Sequence, residues 1–276
     1  MVRIQNLEFA YRSARPIYSG INLDIKQGGI CGLLGKNGVG KTTLLNLIGG
    51  LLRPASISSI EVMGHTPFER KVSFLQEVFL LPEEFKLPRT TVTGFAKRYG
   101  AFYPHFSFTE LEELCREFEI DPSSKLHTMS YGQRKKAYIA FALACNTALL
   151  LLDEPTNGLD IPSKMTFRRM MARYADMERT IIISTHQVRD LEEILDSVII
   201  LDSQRVLLNS TVSELTERYT FGTVTPEQDA LYTLSSIHGM LGICHRSQET
   251  PQSSLDIEML FNAVNLNPSI FNDNEN

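Results

Sequence analysis

The residues that most constrain this chain are Gly35-Lys36-Asn37-Gly38-Val39-Gly40-Lys41-Thr42. They follow a short apolar run, Ile30 to Leu34, and open a helical pattern from Lys41 to Gly50. Glycines let such a loop curl with its amides pointing inward, which makes a nest for an anion. The helix behind the loop adds its positive N-terminal end. Lys41 is placed to neutralise terminal phosphate oxygens, the Thr42 hydroxyl to ligate Mg2+, and Thr43 to donate a further hydrogen bond to phosphate. The competing reading is a plain glycine-rich turn at a strand–helix corner. The GxxxxGK[ST] pattern after a strand and before a helix makes that the weaker one.

A second cluster supports the phosphate reading. Leu149 to Leu152 is a buried strand, and it ends in Asp153-Glu154. Ligands bind at the carboxyl ends of strands in open α/β sheets. There Asp153 would orient a divalent cation and Glu154 would take a proton from an attacking water. A hydrophobic strand that ends in two acids is weak alone, since it describes any solvated strand end. Beside the phosphate loop it gains weight.

The remaining pattern fixes the fold class. Residues 2–9 and 21–26 alternate as half-buried antiparallel strands, and 72–75 reads as another buried strand. From Thr91 to Glu119 the spacing is helical, and a long apolar helix begins near Ser130. Then come strand 148–152, helix 163–176, strand 180–184, helix 187–195 and strand 197–202. Such alternation implies a parallel sheet wrapped by helices. Arg205 to Leu208 reads as one more strand and 211–219 as a helix. Beyond 221, strands are expected at 232–234 and 240–243 and a short amphipathic helix at 257–264.

Composition excludes several alternatives. The longest apolar stretch, Ala137 to Cys145, is nine residues, whereas a membrane helix needs about 20. Met1 leads into polar, charged sequence, so no signal peptide is expected. Cys31, Cys115, Cys145 and Cys244 lie far apart, which predicts buried thiols rather than zinc ligands or disulfides. The net charge of −5 argues against a nucleic-acid protein that relies on a basic face. Residues 221–276 hold seven acids against one arginine, so the acidity belongs to the tail.

Taken together, the motifs resemble those of the ATP-binding cassette (ABC) family of transporter ATPase subunits. The Walker A loop at 35–42 and Walker B strand at 149–154 are followed by Pro155-Thr156-Asn157-Gly158-Leu159-Asp160, which is similar to the D-loop. Gln76 resembles the Q-loop residue at a strand end, and His186, after Ile181-Ile182-Ile183-Ser184-Thr185, the switch histidine. Met129-Ser130-Tyr131-Gly132-Gln133 resembles the LSGGQ signature, with Tyr131 where the common pattern has Gly. Taken singly, Ser130 is a plain N-cap, Gln76 a polar strand end and His186 a loop histidine. Tyr11 stands about where the family has an aromatic that stacks on adenine, with Phe9 and Tyr18 as alternatives.

The resemblance implies a P-loop NTPase (RecA-like) α/β core with an N-terminal antiparallel β subdomain. An α-helical subdomain is inserted at about 77–134, the ATPase domain spans 1–220, and a small C-terminal extension spans 221–276. It implies ATP and Mg2+ as cofactors. Lys41, Gln76, Glu154 and His186 are the catalytic residues, and Thr42, Gln76 and Asp153 hold the metal. Tyr11, residues 35–43, Ser130, Gly132, Gln133 and Asp160 contact nucleotide, with Ser130 and Gly132 reaching the ATP of the other subunit in a head-to-tail homodimer or heterodimer. The expected partner is a separate integral membrane permease, docked near 77–106 at the cytoplasmic face of the cell membrane. Export is favoured by the short tail. The alternative is a soluble ABC ATPase of an assembly or regulatory system.

Overall fold

Alternating buried and exposed side chains make the first elements half-buried strands, β1 (Val2–Phe9) and β2 (Tyr18–Ile25). β3 (Gly29–Gly35) is buried on both faces from Ile30 onward, and α1 (Lys41–Ile48) leaves the glycine loop. β4 (Ser59–Val62) completes an antiparallel sheet of order β2-β1-β4. Next come α2 (Val72–Gln76), β5 (Val78–Leu81), α3 (Val92–Tyr99), α4 (Phe108–Glu117) and α5 (Tyr131–Ala144). They are followed by β6 (Leu149–Asp153), α6 (Ile161–Tyr174), β7 (Thr180–Thr185), β8 (Ser197–Asp202), β9 (Arg205–Thr211) and α7 (Val212–Arg218). The chain closes with β10 (Tyr219–Thr223), β11 (Ala230–Ser236), β12 (Gly239–His245) and α8 (Ile257–Leu266). This computed structural model describes residues 1–12, 15–175, 177–202, 204–225, 229–237, 239–247 and 251–271.

The main sheet has the order β5-β6-β7-β3-β8-β9, parallel except for β9, which runs antiparallel to β8. Its apolar runs divide by parity. Leu149, Leu151, Ile182, Ile199 and Leu201 face α1 and the antiparallel sheet. Leu150, Leu152, Ile181, Ile183, Val198 and Ile200 face the helices on the other side. Period-two alternation with both faces covered explains why these strands read as continuous hydrophobic runs. Each fully buried aliphatic side chain stabilises the fold by about 1.5–3 kcal/mol. Parallel pairing has a functional consequence: the carboxyl ends of β3, β6 and β7 emerge side by side at one edge.

Four expectations are corrected. Residues 72–75 form helix α2, in which only Phe74 is buried, rather than a strand. The strand is β5, one turn later, and it pairs with β6 in the main sheet. The helical insertion therefore begins after Leu81, not at 77, and Gln76 does not end a strand. Residues 187–195 form two 3-10 turns, Val188–Asp190 and Glu192–Ile194, instead of one helix.

The C-terminal part is a third sheet of order β10-β12-β11 plus α8. β10 begins at Tyr219, and α8 packs into the same core cluster as Val188 and Leu191. Glu192 accepts a hydrogen bond from the Ile257 amide at 2.9 Å, and Arg189 pairs with Glu258. The appendage thus rests on the segment that follows His186. All four cysteines are free thiols, three buried and Cys244 partly so. No described helix is long and apolar enough to cross a membrane.

Candidate functional site

The strand ends of β3, β6 and β7 surround a cavity of about 310 Å3 lined by Asn37, Gly38, Gly40, Lys41, Thr42, Thr43, Glu83, Glu154 and His186, with Ile17 at its rim. Gly38 has φ +83°, and a Cβ there would meet nothing within 4 Å, so its backbone stands open to the cavity. Gly40 is in the left-handed region at φ +110°, and a Cβ would lie 2.7 Å from the Tyr18 hydroxyl. That hydroxyl donates to the Gly40 carbonyl at 2.8 Å. At Gly35 a Cβ would strike Val39, so Val39, itself buried, fills the inside of the loop. Lys36, Asn37 and Gly38 are exposed.

Lys41 is folded back into the loop, and its Nζ donates to the carbonyls of Gly35 at 2.8 Å and Lys36 at 3.2 Å. It lies 3.7 Å from Glu154 Oε1, both side chains being buried. Burial lowers the Lys41 pKa, and the carboxylates of Glu154, Asp153 and Glu83 oppose that shift. Thr42 Oγ1 donates to Asp153 Oδ2 at 2.8 Å, and Ser184 Oγ donates to Asp153 Oδ1 at 2.5 Å. Hydroxyl and carboxylate oxygens already in contact are the hard donors Mg2+ takes. The donor set therefore fits that cation.

Glu154 carries the main constraint. Its backbone sits at φ +45°, a region that costs a residue with a side chain on the order of 1–3 kcal/mol. The surroundings hold it there. Its amide donates to both the carbonyl and the hydroxyl of Ser184 at 3.1 Å. Its carbonyl accepts from Lys135 Nζ at 2.6 Å. Lys135, on α5, is fully buried, and burial lowers its pKa to about 8 while Glu83, Glu154 and Asp153 pull it upward. The turn aims the carboxylate at Lys41 and at His186, whose Nδ1 is 2.9 Å from Oε1. Glu154 Oε2 is buried and has no protein partner, an acceptor available to a water or substrate oxygen.

Gln76 is placed elsewhere. It ends α2 and lines a different, apolar cavity of about 760 Å3 with Leu51, Val72, Phe95 and Phe102. The polar residue that follows β5 and enters the phosphate cavity is Glu83, which the sequence reading did not select. The signal was available: Val78-Phe79-Leu80-Leu81 is an apolar run stopped by Pro82, and Glu83 comes next. Glu83 Oε1 accepts from Asn157 Nδ2 at 2.9 Å.

Other selected residues lie outside the cavity of their own chain. Ser130 caps α5: its Oγ accepts from the Gln133 amide at 3.2 Å, and Gln133 Oε1 accepts from the Ser130 amide at 2.9 Å. Gly132 allows close approach of the Gly158 carbonyl, which a Cβ would meet at 2.9 Å. Asp160 caps α6 by accepting from the Ser163 amide at 2.9 Å. Ser130 and Gln133 are exposed. Among the aromatics, Phe9 and Tyr18 are buried. Tyr11 is 45% exposed, with its hydroxyl 3.4 Å from Thr43 Oγ1 and its ring edge-to-face with Phe9 at 5.0 Å, and is the exposed aromatic of the three.

A phosphate nest, a hydroxyl–carboxylate pair and a buried glutamate on adjacent parallel strands define a phosphate-loop nucleotide hydrolase. Within that class the chain belongs to the ABC transporter family, whose pattern matches residues 18–157. It is 31% identical over 230 residues to the uncharacterized ABC transporter ATP-binding protein YdbJ of Bacillus subtilis (strain 168), covering 80% of this chain and 74% of that protein. It is 31% identical over 204 residues to the ABC transporter ATP-binding protein NatA of the same organism, covering 71% and 82%. The structure of cbiO1 from Clostridium perfringens, part of the ABC transporter complex cbiONQ, matches with a TM-score of 0.63 at 25% identity, covering 77% of this chain and 89% of that one. The protein is an ATP-binding, ATP-hydrolysing subunit of the ABC transporter type.

The placement of Glu83 and Gln76 separates their roles. We expect Glu83→Ala to lower ATP hydrolysis by about tenfold or more, since Glu83 lines the cavity with Lys41, Thr42 and Glu154. Gln76→Ala should leave the turnover of the isolated subunit within about twofold, since no contact joins it to the phosphate cavity. Steady-state phosphate release checks both.

Proposed function

We propose that two such chains, or this chain and a related ATPase, close head to tail around ATP and drive a separate membrane permease. The observation that carries this reading is an incomplete site. The cavity has a phosphate nest, a metal pair and the unpartnered Glu154 Oε2, yet it is open to solvent. The segment of exposed Ser130 and Gln133 and half-buried Gly132 lies outside it on the same chain. A second copy presenting that segment supplies the missing wall. The α5 N-terminus contributes free amides and its dipole to the partner's terminal phosphate.

Within the cavity Lys41 leaves its loop carbonyls for the phosphate oxygens and neutralises them. Thr42 and Asp153 would hold Mg2+, which would offset phosphate charge. Glu154 accepts a proton from the attacking water while the bond to the bridging oxygen breaks, and His186 holds the Glu154 carboxylate in orientation. Glu83, just after β5, takes the place at the phosphate cavity that was expected of Gln76. Tyr11 supplies a stacking face for the base.

The apolar cavity of about 760 Å3 lies between the core and the helical insertion, within the region expected to receive a permease helix. Val72 is 69% and Phe102 66% exposed on its rim. An amphipathic helix from a membrane protein would cover these side chains. The tail, a small sheet with one helix, fits the short extensions of exporter-type ATPases, so we infer export, from the inner face of the membrane.

Two outcomes follow. Glu154→Gln should lower hydrolysis by about 100-fold or more and convert the chain to an ATP-dependent dimer in size-exclusion chromatography with light scattering. Turnover near wild type, or a monomer at saturating ATP, contradicts the reading. Phe102→Glu with Val72→Glu should keep hydrolysis by the isolated subunit while abolishing its co-extraction with an integral membrane protein. Recovery of the wild type with soluble partners alone supports an assembly or regulatory ATPase instead.

A further inference from the structure

Tyr131 stands where the common signature has glycine, and its contacts are unusual for an exposed residue. Its hydroxyl donates to the Glu83 carbonyl at 2.9 Å, across 48 residues of chain. Its ring lies against Phe85, with centroids 5.9 Å apart and planes 24° from parallel. On another side it covers Gly158, where a Cβ would stand 2.7 Å from Tyr131 Cε1. Gly158 has φ +79°, so both its conformation and the ring require glycine. Lys135, one helical turn on, places its ammonium 5.8 Å from the ring centroid while donating to the Glu154 carbonyl.

These contacts form a closed circuit. Glu83 is bonded through its carbonyl to Tyr131 and through its carboxylate to Asn157, and the turn at Asn157-Gly158 is in turn pressed against Tyr131. Glycine at 131 would leave the Glu83 carbonyl without this donor and the face of Gly158 uncovered. We propose that Tyr131 is a positioning residue that couples the two ATP sites, by tying the loop that borders its own phosphate cavity to the signature segment that serves the partner's. The proposal rests on the head-to-tail reading. In that arrangement Glu83 reports the state of one site, while Ser130 and Gly132, the neighbours of Tyr131, act on the other. A displacement of Glu83 when phosphate binds or leaves is carried through the phenol hydroxyl to the first turn of α5. Packed, hydrogen-bonded elements of this kind shift as units.

The test is Tyr131→Phe, which keeps the ring and its stacking but removes the hydroxyl. Wild-type hydrolysis against ATP concentration should give a Hill coefficient above 1, bounded by the two sites of the dimer, and Tyr131→Phe should bring it to about 1. Amide hydrogen exchange at residues 83–86 should slow on ATP binding in the wild type and lose that response in the variant. Tyr131→Gly, which removes ring and hydroxyl together, should behave likewise. A merely structural contact would lower the melting temperature and leave the Hill coefficient alone. Dimerisation of the Glu154→Gln chain with ATP, read by size-exclusion chromatography with light scattering, separates the layers. If that chain dimerises with ATP while Tyr131→Phe keeps the wild-type Hill coefficient and exchange response, the coupling role is overturned and the head-to-tail reading stands. If it fails to dimerise, the head-to-tail reading falls, and this proposal with it.

Discussion

The left-handed backbone at Glu154 is the constraint on which the rest of the site depends. Its φ of +45° costs a glutamate on the order of 1–3 kcal/mol. It is held by Ser184 from the adjacent strand and by the buried Lys135 from α5. Those same contacts set the rest of the geometry. Ser184 also anchors Asp153, Asp153 anchors Thr42, and the Glu154 carboxylate meets Lys41 and His186. A single strained turn thus joins the phosphate loop, the Thr42–Asp153 pair and the histidine that follows β7.

The sheet makes this economical. Since β6, β7 and β3 are parallel neighbours, their carboxyl ends deliver acids, serine and glycine loop to one edge. Helix α5 then brings Lys135 and Tyr131 to the same edge from a distant part of the chain. The C-terminal appendage braces the turns after His186 from the far side. Glu258, one of the tail's acids, takes part in that bracing, while residues 1–220 are close to neutral in charge.

Much of this was legible in the sequence, because the relevant signals are local. A glycine loop between strand and helix, an apolar run ending in Asp153-Glu154, and another ending in Ser184-Thr185-His186 each carry their own context. The failure at Gln76 was also local. Val72-Ser-Phe-Leu and Val78-Phe-Leu-Leu are both short, mainly apolar segments, and periodicity cannot separate a short helix from a buried strand at that length. The stop at Pro82 was the better guide, and it leads to Glu83. Nothing local signalled that Tyr131 would reach Glu83 or that Lys135 would lie under Glu154. Those contacts arise only when the insertion folds back onto the sheet. The capping role of Ser130 was legible too, and it coexists with an exposed position suited to a partner.

The most direct test of the account is a crystal structure of the Glu154→Gln chain with ATP and Mg2+. The account predicts terminal phosphate against Lys41, metal on Thr42 and Asp153, Glu83 bordering the same cavity, and Ser130 and Gly132 of a second copy closing it. A nucleotide seated away from residues 35–43, or a signature segment left facing solvent in the ATP-bound state, would contradict it.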